Sequence, residues 1–72
     1  MNYRDFNAVA AELREGDKLC LELASGETVK AELKGSVMLG SPARNGEVTV
    51  TIDNQDRRIT AGELNLIDLI LE

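Results

Sequence analysis

A chain of 72 residues has room for one domain, and a domain of this size buries only about 60% of the surface that its unfolded chain exposes. One cysteine and no histidine exclude an internal disulfide and, for practical purposes, a structural zinc site, so self-association is the remaining common means of stabilising so small a domain. The net charge of −5 opposes non-specific attraction to nucleic acid or to an anionic membrane and favours basic partners.

The start of the sequence and its apolar runs bear on where the protein works. No basic segment followed by an apolar one opens the chain, and no apolar run approaches the roughly 18 residues that a membrane span needs. We therefore expect a cytoplasmic protein with no membrane partner. A reducing compartment also suits the lone Cys20.

The first predicted element is an amphipathic helix within residues 1–15. Asn2 is a candidate N-cap, and Gly16 is expected to end the helix just before the first strand. The apolar stripe has steps of three and four and consists of Tyr3, Phe6, Ala10 and Leu13. We expect this stripe to pack on the rest of the domain as core, although a helix that binds a partner would show the same pattern.

A β-hairpin is predicted over residues 17–34. Leucines alternate with polar residues in its first half, and Val29, Ala31 and Leu33 alternate with polar residues in its second half, which is the period of half-buried strands. Residues 24–27 form the turn, where Gly26 is free to take a positive φ. The second strand is expected to bend at Gly35 and to continue through residues 37–39.

Three further strands are predicted over residues 47–53, 57–60 and 64–71, with one tight turn at residues 61–63 joining the last two. The last strand is apolar on both faces, so either the N-terminal helix or a second subunit must cover one of them. One face carries Leu66, Asp68 and Ile70, and the other carries Ile67, Leu69 and Leu71. The predicted core consists of Leu19, Leu21, Leu23, Val29, Leu33, Val48, Val50, Ile52 and Leu66.

This order of elements resembles the Sm-like proteins, the group that includes Hfq and the Lsm proteins. Residues 21–33 look like the family's first motif, two alternating strands joined by a glycine turn, and residues 59–67 look like its second motif around Gly62. The resemblance implies a mainly β fold: one Sm-like domain over residues 1–72, with a helix at 1–15 and a strongly bent, five-stranded antiparallel barrel at 17–71. Other residues occupy the family's RNA-binding positions, with Ala31 for a glycine, Ala61 for an arginine, and Ser36-Val37-Met38 in the loop after the second strand.

A second resemblance is to the small Rho-inhibiting proteins of the Rof type. The similar segments are Tyr3-Arg-Asp-Phe6 and residues 21–27. Those proteins are acidic Sm-like barrels that act as monomers by covering a basic RNA-binding site on another protein. The resemblance implies the same kind of partner here.

No catalytic constellation is present in the sequence. Without histidine the usual acid or base at neutral pH is missing, and no glycine-rich phosphate loop occurs, so we expect neither enzymatic activity nor a cofactor or metal. The carboxylates of Asp53 and Asp56 are typical of a solvated turn, although paired carboxylates also serve as acid and base. Cys20 is interpreted as a packing residue, with a redox-sensitive thiol as the alternative.

The candidate nucleic-acid contacts are four basic residues, of which Lys34 and Arg44 belong to a segment, residues 33–46, that contains no acidic residue. They are Lys34, Arg44, Arg57 and Arg58. Ordinary solvated surface charge is the alternative for all four. Tyr3 and Phe6 are the only aromatic residues, so base stacking has few platforms.

Self-association is predicted through the fourth and fifth strands, with an interface formed by Ile67, Leu69 and Leu71. Together with the resemblance to Sm-like proteins, this predicts a non-enzymatic Sm-like interaction module that forms homo-oligomeric rings and binds RNA or a protein that handles nucleic acid. The alternative is a monomeric acidic barrel that inhibits a basic protein partner.

Overall fold

The structure is a computed structural model that describes residues 1–35 and 37–70. It contains one helix and five strands, and one turn of 3₁₀ helix, Ala61–Glu63, connects the last two strands. In chain order the elements are α1 (Tyr3–Ala10), β1 (Lys18–Leu23), β2 (Thr28–Leu33), β3 (Glu47–Ile52), β4 (Gln55–Thr60) and β5 (Leu64–Leu69).

All five strands belong to one antiparallel sheet in the order β4-β3-β2-β1-β5. The predicted helix followed by five antiparallel strands is therefore confirmed. Strands β4 and β5 lie at opposite edges and do not pair with each other in the described part of the chain, so the sheet is not closed. The closed barrel is not confirmed.

The hairpin β1–β2 forms where the alternation predicts it. Leu21 opposes Val29 and Leu19 opposes Ala31, and Gly26 in the connecting turn has a φ of 92°. Beyond β2 the chain bends at Gly35, whose φ is 82°, and Met38 then forms a bridge with Glu47. The second strand therefore resumes its pairing with β3 after the predicted bend.

Helix α1 is shorter than predicted. Its N-cap is Asn2, whose Oδ1 accepts a hydrogen bond of 2.9 Å from the Asp5 N–H, as expected, but it ends at Ala10 with Ala11 as its C-cap. The predicted end at Gly16 is wrong, because the N–H of Gly16, just before β1, donates to the carbonyl of Leu33 at the end of β2. Residues 11–15 turn the chain from the helix into β1.

The core contains five of the nine predicted members, Leu19, Leu21, Leu33, Val48 and Val50, together with seven residues outside that set. The additional ones are Phe6, Ala10, Ala31, Ile59, Ala61, Leu64 and Ile67. Leu23, Val29 and Ile52 are half-buried and pack against this cluster. Because Phe6 and Ala10 are buried, the stripe of α1 packs as core, which confirms the first of the two interpretations of the helix.

Leu66 is the error in the predicted core, since 46% of its surface is exposed. The register between β1 and β5 explains the error. Ile67 opposes Leu21 in the core, whereas Leu66 opposes Glu22, and an irregularity between Glu22 and Leu23 separates this rung from the next. The core face of β5 is therefore the face opposite to the one predicted.

A side-chain clamp attaches α1 to the loop between β2 and β3. The Asn7 Nδ2 donates to the Gly40 carbonyl at 2.9 Å, and the Gly40 N–H donates to the Asn7 Oδ1 at 2.8 Å. Both bonds are partly buried and join residues that are 33 positions apart. The sequence pattern placed Asn7 only on the polar side of the helix.

Asn7→Ala should lower the free energy of unfolding by about 1–3 kcal/mol, because it leaves both backbone groups of Gly40 without their partner. Asn7→Asp is the matched variant, since its carboxylate still accepts from the Gly40 N–H but no longer donates to the carbonyl. We expect urea denaturation to place N7D between N7A and the wild type. Equal stability of N7A and the wild type would contradict a structural role for the clamp.

Candidate nucleic-acid and assembly surfaces

One face of the sheet is polar and carries most of its charged side chains. Residues that oppose each other across antiparallel strands share a face, as do residues two positions apart along a strand. The register thus assigns one set to what we name the outer face: Lys18, Cys20, Glu22, Thr28, Lys30, Glu32, Glu47, Thr49, Thr51, Asp56, Arg58, Thr60, Leu66 and Asp68. The opposite, inner face carries the core.

Lys34, the first of the candidate phosphate contacts, is held in an ion pair. Its Nζ lies 2.6 Å from the Asp56 Oδ2, and the Thr51 hydroxyl donates to the Asp56 Oδ1 at 2.9 Å. The pair connects the end of β2 to β4 across β3. The positive charge of Lys34 is therefore partly neutralised within the domain.

The same pair shifts the titration of both groups. Hydrogen bonds from Lys34 and Thr51 lower the pKa of Asp56, and the hydrogen bond to Asp56 raises the pKa of Lys34. The pair is therefore present at neutral pH. It is lost as the pH falls through the lowered pKa of Asp56, or rises through the raised pKa of Lys34. Both side chains are exposed, so solvent screening keeps the effect on stability small.

The three candidate arginines lie at separate places. Arg58 opposes Thr49 on the outer face, and the backbone N–H of Lys34 donates to the Thr49 carbonyl, so Arg58 and Lys34 are neighbours across β3. Arg57 opposes Val50 and thus belongs to the inner face. Arg44 lies in the loop before β3, with its Nη1 3.4 Å from the Met38 Sδ. The structure therefore brings Lys34 and Arg58 together but does not gather all four residues.

The predicted interface residues also differ from one another. Ile67 is only 2% exposed and belongs to the core of its own chain, whereas Leu69 is 40% exposed near the end of β5. Leu71 lies outside the described residues. On this strand the apolar surface open to a partner thus consists of Leu69 and, on the outer face, Leu66.

Both edges of the sheet lack a neighbouring strand within residues 1–35 and 37–70. An edge strand presents N–H and C=O groups that can pair with another chain. The β4 edge carries Asp56, Arg57 and Arg58, and the β5 edge carries Asp68. Their charges are opposite in part, which matters when the two edges approach each other.

Within residues 1–35 and 37–70, the remaining reactive side chains lie in a turn, in an ion pair and on the outer face. Asp53 and Asn54 have φ angles of 51° and 64°, as a two-residue hairpin turn requires, and Asp56 is held by Lys34. Cys20 is half-buried on the outer face, where it opposes Lys30 on one side and Asp68 on the other. Within the described residues, no group of three or more Cys, Asp or Glu is placed to hold a metal ion.

Two functional features were missed by sequence reasoning. The Asn7 clamp joins distant segments and has no local signal in the sequence. Met38 and Leu39 are 45% and 48% exposed, so the loop between β2 and β3 presents apolar side chains to solvent.

None of the helices in the described part of the chain is both long and apolar enough to span a membrane.

Comparison with known proteins gives no relative: no family model matches the chain, and neither a curated protein nor a solved structure resembles it significantly.

Proposed function

We propose that this protein is a non-enzymatic, Sm-like interaction module whose copies assemble into a ring and bind RNA or a protein that handles nucleic acid. The observation that carries the proposal is the strand order, which leaves β4 and β5 as the two open edges of one sheet. Pairing β4 of one copy with β5 of the next satisfies both edges at once. Such a head-to-tail contact uses two different surfaces, so it closes into a ring when the rotation between copies allows.

The curvature of the sheet supports the same proposal. The chain bends at Gly35 just after β2, and Met38 then forms a bridge with Glu47 at the start of β3, so the residues on both sides of the bend pair with β3. A sheet that bends in this way brings its edges round toward a barrel-like shape. The small size of the domain adds a reason for assembly, because each copy buries only a modest core by itself.

Assembly should be visible directly as an oligomer in native mass spectrometry at tens of micromolar. Leu69→Lys should convert the oligomer into folded monomers, since Leu69 is largely exposed in one copy but would be covered at the β5 edge. Leu39→Lys, an equally exposed leucine outside the edge strands, is the control and should leave the mass unchanged. A wild-type protein that is monomeric at this concentration would contradict the ring.

RNA binding is expected to be weak and to depend on salt, because Lys34, Arg44, Arg57 and Arg58 are few and partly dispersed. Arg44→Ala is the cleanest test, since Arg44 lies on a loop outside both edges. Loss of one phosphate contact should reduce the slope of log affinity against log salt by about 0.7 for a single strand. Arg14→Ala, an exposed arginine near the end of α1, should leave the slope unchanged. Affinity that does not vary with salt would contradict this placement.

A second candidate function is favoured by one specific observation, the ion pair that neutralises Lys34. An acidic protein whose basic side chain is already engaged is better suited to a basic protein surface than to RNA. In that case the domain acts as a monomer that covers the nucleic-acid site of a basic partner. A monomeric wild type that shows no oligonucleotide binding at low salt would favour this function over the ring.

A further inference from the structure

We infer that an ion pair between Arg58 of one copy and Asp68 of the next fixes the register in which two copies join. The inference rests on the proposed assembly through β4 and β5, and it names the side chains that make the partner a second copy of this chain.

Arg58 and Asp68 lie on the same face of the sheet although they are on opposite edges. Arg58 opposes Thr49, and Asp68 opposes Cys20. The residues that connect them on the outer face are Thr49, Thr51, Glu32, Lys30 and Cys20. When the edge of one copy continues the sheet of another, outer-face residues meet outer-face residues, so the two charges come to the same side of the junction.

Both side chains are available for such a contact. Arg58 and Asp68 are exposed, and neither side chain forms a hydrogen bond or ion pair with any residue in the described ranges. Asp56, the carboxylate nearest to Arg58 on its own strand face, is instead held by Lys34 and Thr51. Each copy therefore carries an uncompensated positive charge on one edge and an uncompensated negative charge on the other.

The charges distinguish one register from its neighbours. A shift by one residue would place inner-face side chains on the outer face, which the apolar core forbids. A shift by two residues places either Asp56 or Thr60 beside Asp68 in the place of Arg58. With Asp56 in that place, two carboxylates meet across the junction. With Thr60 in that place, Asp68 has no positively charged partner and Arg58 has lost Asp68. This reasoning holds whether β4 and β5 run parallel or antiparallel at the junction.

The same register also covers the exposed leucine of β5. With Arg58 beside Asp68, the inner-face neighbours of Leu69 across the junction are Arg57 or Ile59, depending on strand direction. In an antiparallel junction the exposed side chain of Arg57 lies over the 40% of Leu69 that is open in one copy, whereas Ile59 is already buried in the core of its own copy. The charged pair and the contact of Arg57 with Leu69 therefore favour the same alignment when the two strands run antiparallel.

Charge reversal tests the pair. R58D and D68R should each raise the dissociation constant of the junction about tenfold or more, because like charges then meet across it. The double variant R58D/D68R should restore assembly close to the wild-type level. In an equimolar mixture of the two single variants, every junction that joins one variant to the other should recover, so mixed oligomers should form although neither variant assembles by itself. Arg14→Asp makes the same change in net charge as R58D at a position away from both edges, and it should leave the dissociation constant unchanged.

The outcomes separate this inference from the proposed function. If the wild type assembles but R58D assembles equally well, or if the double variant fails to recover, the ion pair is wrong while ring assembly stands. A wild-type protein that is monomeric would contradict both the ion pair and the ring assembly. If a reversal variant does not fold by circular dichroism, the neutral variants R58Q and D68N replace it, and added salt should then weaken the wild-type oligomer more than either neutral variant.

Discussion

Replacing Gly46 with alanine should destabilise the protein by about 1–3 kcal/mol or more, the usual cost of forcing extra volume into a packed core. A β-carbon at Gly46 would overlap the Cδ1 and Cε1 atoms of the Phe6 ring and would also lie 3.1 Å from the Met38 carbonyl oxygen. Phe6 is fully buried, so its ring has no solvent-filled space to move into. The helix must shift away from the sheet or the strand must move.

Gly62→Ala is the matched control for this substitution. A β-carbon at Gly62 would meet its nearest atom, the Asn45 Nδ2, at 3.5 Å, which is an ordinary contact. Urea denaturation should therefore show a large loss of stability for G46A and a small change for G62A. Phe6→Leu in the G46A background should recover part of the loss by relieving the overlap. Equal stability of G46A and G62A would contradict the packing of α1 on this glycine.

Leu21→Ala should lower the free energy of unfolding by about 2–5 kcal/mol through lost apolar burial and a residual cavity. Leu21 is fully buried in the middle of β1, where it opposes Val29 on β2 and Ile67 on β5, so neighbouring strands surround it on both sides. Three strands held in register by hydrogen bonds collapse only partly around the missing side chain. Thermal or urea denaturation of the purified variant measures the loss.

Leu66→Ala is the informative comparison, because it makes the same change on the outer face of the same sheet. With 46% of its surface exposed, Leu66 should lose far less stability on truncation than Leu21. A variant L21A that melts like the wild type would overturn the assignment of β1 to the core. A loss for L66A as large as that for L21A would overturn the assignment of faces on β5.

The contrast between Leu21 and Leu66 shows how far the sequence predicts this fold. In β1 and β3 only one face is apolar, so alternation identifies the buried residues correctly. In β5 both faces are apolar, and the pattern therefore contains no information about which face is inside. The face is decided by pairing with β1, where Ile67 opposes the buried Leu21 and Leu66 opposes Glu22. Register of this kind is a tertiary property.

The candidate site shows the same limit. The sequence identifies Lys34 and Arg58 as basic residues. It does not show that they are neighbours across β3, or that Lys34 forms an ion pair with Asp56. Helix α1 likewise ends earlier than predicted. The backbone N–H of Gly16, five residues after the C-cap Ala11, donates to the Leu33 carbonyl at the end of β2 and so takes part in the pairing of the sheet. Contacts between segments far apart in the chain decide both outcomes, and no local pattern encodes them.

The turn from Ser41 to Arg44 also has a practical consequence for measuring subunit exchange of this protein in solution. The two residues exchange backbone hydrogen bonds of 2.8 and 3.1 Å, which close the chain around Pro42 and Ala43 at an exposed loop tip. Sequence added inside a closed loop costs little conformational entropy and leaves the flanking strands in place. A short peptide tag between Pro42 and Ala43 therefore offers a place for a fluorophore, so that energy transfer between copies can report subunit exchange while both termini remain untouched.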